Sequence, residues 1–276
     1  MSPPTSAFSF VDAITEFQPG QRARGVVALP AHGALPPCLI AEAVGQLAAW
    51  VAMAAVDFRR RPVAALADEV RIHAPAVAGD TLDLEVAIDS CEADAVSYSG
   101  RAWLGDAVVL ELNNGVGPML AMEEFDDPAN VRRRFAQLCA ADAPRAVMAG
   151  PLPPAPSFAV IAREPDSIRA AMSVPAAAPL FADHFPRRPL FPGTLLLEAQ
   201  IRLALQLAAD AAHPSAAAAP RPTCVRGVKL RAFVEPAQQV ALVANLVACR
   251  GAARDFGVAA YVDGKRIATA RVECQA

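Results

Sequence analysis

Two stretches carry one pattern: Pro37 to Trp50, PCLIAEAVGQLAAW, and Gly193 to Gln206, GTLLLEAQIRLALQ. Each is apolar at helical spacing, and each sets a Glu-Ala at the same point, so Glu42 and Glu198 correspond at an offset of 156. Downstream, VRIHAPAVAGDTLDLEV (Val70 to Val86) matches VKLRAFVEPAQQVALVA (Val228 to Ala244) at an offset of 158, both reading as alternating strands broken by a short turn. Upstream, GQRARGVVA (Gly20 to Ala28) resembles DSIRAAMSV (Asp166 to Val174) at an offset of 146, so the first copy is about ten residues shorter just before its helix.

Each copy therefore reads as strand, loop, long apolar helix and then several alternating strands. These are expected at 64–76, 80–91, 94–104 and 107–114, and again at 223–234, 238–250, 254–263 and 266–274. A helix apolar almost all round must be enclosed, which a sheet curled around it achieves. The fold class is α+β. The expected domains are 1–122, a linker at 123–157 with a polar helical patch from Pro128 to Ala140 and a Pro-rich run, and 158–276.

The composition narrows the function. A chain of 276 residues with 54% hydrophobic residues has ample material for a core, and 19% charged residues with a net charge of -3 give no basic excess for a nucleic acid. The six cysteines are widely spaced with no CxxC, so no metal site is expected, and reduced thiols fit a cytoplasmic location. The N-terminus lacks a basic segment followed by an apolar one, so no secretory signal is expected. Cys38 to Val56 approaches membrane-spanning length but carries Glu42 and Gln46, and is read as a buried helix with no membrane span. No GxGxxG or GxSxG occurs, so neither a nucleotide site nor a serine hydrolase elbow is expected. Asn113-Asn114-Gly115 and Gly117-Pro118 read as turns. His32, His73 and His213 read as core residues, although His32, ten residues before Glu42, could approach a second site. Cys38 reads as a small core residue.

Before the second helix runs Asp183-His184-Phe185-Pro186-Arg187-Arg188-Pro189-Leu190-Phe191-Pro192-Gly193, with Glu198 fourteen residues after His184. An HFPxxPxxPG loop leading into LxxEA resembles the signature of the FabZ/FabA-type 3-hydroxyacyl thioester dehydratases. That resemblance implies a double hotdog, two copies of a curled antiparallel sheet around a long central apolar helix. It implies that substrate arrives on the phosphopantetheine of acyl carrier protein or as a CoA thioester, with no metal or redox cofactor. It also implies a pseudo-dimer within one chain, with further homo-oligomerisation open, and sites that take His from one copy and the acid from the other.

Carried onto this sequence, His184 is the base, Glu42 the acid and Gly193 the backbone donor for the thioester oxygen, with Gln46, Phe185 and Pro192 in support. The first copy has Ala28 where the second has His184, and Pro37, which lacks an N–H, where the second has Gly193. Arg202, four residues after Glu198, is placed to pair with it and keep it ionised, whereas Gln46 after Glu42 is neutral. One working site and one degenerate site, around Glu198, Arg202 and Pro37, are expected. Arg59 to Arg61, Arg132 to Arg134, Arg187 and Arg188 read as solvated surface, or as a docking patch for an acidic carrier protein or CoA phosphates. A hotdog thioesterase and a non-catalytic acyl-thioester-binding subunit are the alternative functions.

Overall fold

The computed structural model describes residues 8–30, 35–77, 79–140, 152–210 and 219–275. His32, His213 and the first two residues of the Pro-rich run, Gly150 and Pro151, lie outside the described residues.

The first copy runs β1 (Ala13–Gln18), β2 (Arg22–Ala28), α1 (Pro37–Ala55), β3 (Arg60–Pro62), β4 (Leu66–Ile72), β5 (Thr81–Cys91), β6 (Ala95–Leu104) and β7 (Ala107–Ala121). After α2 (Pro128–Leu138), the second copy runs β8 (Ala159–Glu164), β9 (Ser167–Ser173), α3 (Leu180–His184), α4 (Gly193–Asp210), β10 (Arg221–Leu230), β11 (Gln239–Arg250), β12 (Ala253–Val262) and β13 (Lys265–Gln275). All pair antiparallel in one sheet of order β1-β2-β5-β6-β7-β4-β10-β13-β12-β11-β9-β8, with β3 added on β7. Read from either end, that order is the same succession of equivalent strands. The chain is a double hotdog.

The seam between β4 and β10 carries the pseudo-two-fold. Ala67 pairs with Val228 and Val70 with Val225. Because the copies correspond at an offset of 158, exchanging them turns one pair into the other. On the outer face of the seam Arg226 donates to Glu69 at 3.0 Å and pairs with Glu273 at 3.0 Å. Exposed pairs of this kind contribute up to ~1 kcal/mol each, so the ladder and the helices beneath it hold the copies together.

The sheet curls over α1 and α4. Both helices are apolar around most of their circumference, and α1 buries residues on every turn, among them Ile40, Val44, Leu47, Val51 and Met53. α1 is long and apolar enough to cross a membrane, yet here it is packed within the curl of the sheet. Leu47 is fully buried, and truncation to alanine there costs ~2–5 kcal/mol. The approach of helix and sheet is close at Gly100 on β6, where a Cβ would lie 2.6 Å from Val44 Cγ1 and 2.7 Å from the Glu85 carbonyl.

Two readings of the sequence shift in register. Ala23 pairs with Val86 and Ile168 with Ala244, so β2 and β9 correspond at an offset of 145 rather than 146. The period of two decides this, since a one-residue slip would turn Ala23 and Ile168 out of the core. The expected turns at Asn113 to Pro118 fall inside β7, which continues to Ala121. The strand absorbs the residues as an irregularity: Asn114 takes φ 49°, its amide donates to Asp68 at 2.7 Å, and Gly115 leaves room for the Tyr98 ring. His73 is also no core residue; it is exposed beside Glu111, 3.2 Å away.

α2 packs over the first copy. Asp127 caps it by accepting from the Ala129 N–H at 2.8 Å, and Pro128 fits the first turn. Its Phe135 sits among Phe17, Trp50 and Phe58, and the preceding Phe125 packs at a tilt against Phe185 of the motif loop, ring centroids 4.8 Å apart.

Candidate active site

His184 is the last residue of α3, and Gly193 is the first of α4. Between them the chain makes one bridge, Phe191 to Val234, whose counterpart in the first copy is Leu35 to Ala76. The prolines at 186, 189 and 192 hold this connection extended until α4 can start. Pro192 is buried and its carbonyl accepts the Leu196 N–H at 3.1 Å, the first bond of the helix. A Cβ at Gly193 would displace the tip of the Leu230 side chain.

The motif loop is fastened to the linker. The Arg187 N–H donates to the Phe125 carbonyl at 2.9 Å, and Arg188 pairs with Glu124 at 3.3 Å while lying over the Phe233 ring. Two of the arginines read as solvated surface therefore tie His184's loop down, although both remain half exposed.

A cavity of about 950 Å³ opens beside this loop and is lined by His184, Phe185, Gly193 and Thr194 of the second copy and by Glu42, Gly45, Gln46 and Tyr98 of the first. Glu42 projects from the second turn of α1 toward the start of α4. One carboxylate oxygen accepts from Gln46 Nε2 at 2.9 Å and the other from Thr194 Oγ1 at 2.8 Å, the second bond crossing between the copies. Gln46 is fixed in turn by the segment before β1: it accepts the Phe10 N–H at 2.8 Å and donates to the Phe8 carbonyl at 3.3 Å. Phe8 also meets the His184 ring edge-on.

Burial raises the Glu42 pKa above its ordinary 4.5; the hydrogen bonds from Gln46 and Thr194 and the charge of Arg61 pull the other way and lose. Burial likewise pushes His184 down, to about 3, with the Leu190 carbonyl opposing and Arg61 assisting. Burial thus shifts each of these two cavity-lining groups toward its neutral form. His184 Nδ1 lies 3.2 Å from the Leu190 carbonyl, which can only accept, so Nδ1 carries the proton and Nε2 keeps its lone pair.

The residues expected at the second pseudo-site lie apart from this cavity. Neither Glu198 nor Pro37 lines the cavity. The expected match of Ala28 with His184 is corrected: Ala28 ends β2, its N–H bonded to Asp12 at 2.7 Å, and at the offset of 145 it corresponds to Ser173 at the end of β9. The expected pairing of Arg202 with Glu198 is corrected by the structure: Arg202 turns outward, donates to the Pro156 carbonyl at 2.6 Å and lies over Phe158. Glu198 is 8% exposed and its pKa is raised, chiefly by burial, with the Cys38 thiol as its hydrogen-bonding neighbour and Arg202 a lesser influence. Cys38 is buried, and its thiol is pushed well above its ordinary value. Spacing along a helix places two side chains on one face, but it does not decide which neighbour a long arginine prefers.

The sequence reading overlooked three residues of the cavity. Thr194 follows the motif directly, Tyr98 lies half-buried on β6 against Gly45, and Arg61 was taken as part of a surface run. Arg61 instead enters the cavity wall and lies over the Phe185 ring, 4.5 Å from its centroid.

A protein-family model described as ApeI-like, ApeI dehydratase, matches residues 160–269, nearly the whole second copy. The chain is 36% identical over 110 residues to the 3-hydroxyacyl-[acyl-carrier-protein] dehydratase FabZ of Albidiferax ferrireducens, a match covering 39% of this chain and 73% of that one. The chain belongs to this dehydratase family. The corresponding protein of Roseiflexus castenholzii is 36% identical over 117 residues, covering 38% of this chain and 81% of its own. Among solved structures, an acyl-ACP thioesterase from Bacteroides thetaiotaomicron superposes with a TM-score of 0.57 at 8% identity, covering 92% of this chain and 98% of that one. The 12:0-ACP thioesterase from Umbellularia californica gives a TM-score of 0.53 at 9% identity over 92% and 94% of the two chains. At such identity the likeness is one of fold. The FabZ relatives match the second copy, and the thioesterases match the double-hotdog arrangement of the whole.

Proposed function

We propose that this FabZ-family chain dehydrates a 3-hydroxyacyl thioester, carried by acyl carrier protein or CoA, to the trans-2-enoyl thioester at a single site made by both copies. The observation that carries the reading is the bond from Thr194, next to the Gly193 N-terminus of α4, to Glu42 on α1, within the cavity that His184 also lines.

His184 Nε2 takes the C2 proton. As it leaves, negative charge grows on the thioester oxygen, and the Gly193 N–H at the positive end of α4 is the donor suited to hold it. The C3–O bond breaks with transfer of the Glu42 proton to the departing oxygen, which leaves as water, and the electron pair closes the C2=C3 bond. His184 then returns its proton to Glu42 through the solvent-connected cavity, so the cycle needs no metal or redox partner. The raised pKa of Glu42 and the lowered pKa of His184 support this division of roles.

Mass spectrometry of a short 3-hydroxyacyl-pantetheine thioester incubated with the purified protein tests the reading. Loss of one water with the thioester intact is expected; free acid and free thiol would assign the site to thioester hydrolysis instead.

A further inference from the structure

The Arg61 guanidinium is a charge that the proposed elimination does not use. It enters the cavity wall from β3, lies over Phe185, and forms no hydrogen bond or ion pair among the described residues. Its Nε is buried without a partner. Glu42 and Asp126 are near enough to be felt electrostatically, but neither is in contact. Asp126 faces its own backbone, accepting the Asp127 N–H at 2.7 Å, and both oxygens of Glu42 are taken by Gln46 and Thr194.

A saturated alkyl chain filling this cavity would strip the remaining water from the guanidinium and offer nothing in return, which is among the costliest arrangements a protein interior can hold. Asn130, Arg134 and Gln137 of α2 line the same cavity, so Arg61 is not its only polar lining. Arginine suits a carboxylate better than any other side chain, through paired, charge-assisted hydrogen bonds.

From this unpaired guanidinium in the cavity wall we infer that Arg61 is a specificity residue that selects acyl thioesters bearing a carboxylate beyond C3, and that it anchors that carboxylate. Arg61 lies over the Phe185 ring, whose centroid is 3.9 Å from that of the His184 ring, so the anchored group lies close to the reacting carbons rather than at the end of a long chain. The inference rests on reading this cavity as the acyl site, and it is independent of which reaction follows.

Binding of unreactive analogues separates the two questions, since analogues without a 3-hydroxyl group cannot be dehydrated. Dissociation constants would be measured by calorimetry for the mono-pantetheine thioesters of adipic and suberic acids against hexanoyl- and octanoyl-pantetheine. For the wild type, at least one dicarboxylic analogue is expected to bind about tenfold to a hundredfold more tightly than its methyl-ended counterpart. Arg61→Met, nearly isosteric and uncharged, should abolish or reverse that ratio, and Arg61→Lys should keep part of it. Tighter binding of both methyl-ended analogues by the wild type would overturn the inference, as would no binding of any analogue or a ratio unmoved in Arg61→Met. The wild-type comparison stands even if a variant fails to fold. Absence of water loss from a 3-hydroxyacyl thioester, with the binding preference intact, would count against dehydration and not against Arg61.

Discussion

Thr194 Oγ1 donates to the Glu42 carboxylate at 2.8 Å, and this bond joins the first turn of one central helix to the second turn of the other. It places an acid from the copy without the motif at the mouth of the helix that begins the other copy's site. Glu42 is thereby fixed from two sides, by Gln46 within its own helix and by Thr194 across the interface.

Removing the cross-copy bond tests its purpose. Thr194→Val should lower kcat about tenfold with little change in KM, the effect of losing one hydrogen bond to an ionisable group, and Thr194→Ser should restore most of it. Because the threonine hydroxyl lowers the Glu42 pKa, the alkaline limb of the pH–rate profile should move upward in Thr194→Val. A residue that served packing alone would leave that limb where it was.

The pH profile of the wild type follows from the two shifts. His184 works only when neutral, and its pKa is held far below the ordinary 6.5, so kcat/KM should show no inflection near 6.5 and should fall only under more acid conditions. Glu42 works only when protonated, with a pKa above its ordinary 4.5, so it supplies the alkaline limb. Initial rates across the acid and neutral range, with a stability control at each pH, check both signs.

Asp12 offers a stability test away from the chemistry. Burial raises its pKa from 3.8 to about 6, against the Ala28 N–H and the charge of Arg134, so ionising it opposes folding. Its contribution is full below 3.8 and is lost as the pH rises through 6. Asp12→Asn, which still accepts from Ala28, should stabilise the protein by about 1–2 kcal/mol at about pH 8, allowing for solvent screening of a partly exposed group, and by almost nothing at about pH 4. Urea unfolding of both proteins at the two pH values measures the difference.

The sequence carried the architecture because duplication and period are both visible in it. Strands β5, β6 and β11 to β13 alternate cleanly, and the helices repeat Glu-Ala at one point, so the two copies could be aligned residue by residue. Where alternation is weak, as between Gly20 and Ala28, the alignment slipped by one residue, and Asn114 and Gly115 look like a turn although β7 bends through them. The site was legible as far as its motif reached: His184, Gly193 and, by the duplication, Glu42 meet around one cavity. Long charged side chains were not legible. Arg202 and Arg61 each choose between solvent, a backbone carbonyl, a ring face and a cavity, and only the packed neighbours Pro156, Phe158 and Phe185 decide it.

The central claim, one site shared across the copies, is tested most directly by single-turnover water loss from a 3-hydroxyacyl-pantetheine thioester in Glu42→Gln, Glu198→Gln and His184→Ala. The account predicts a fall of ~10²–10⁴-fold for Glu42→Gln and for His184→Ala, with Glu198→Gln keeping most of the wild-type rate. A collapse of activity in Glu198→Gln with Glu42→Gln spared would mean that His184 works with the acid of its own copy, and would contradict it.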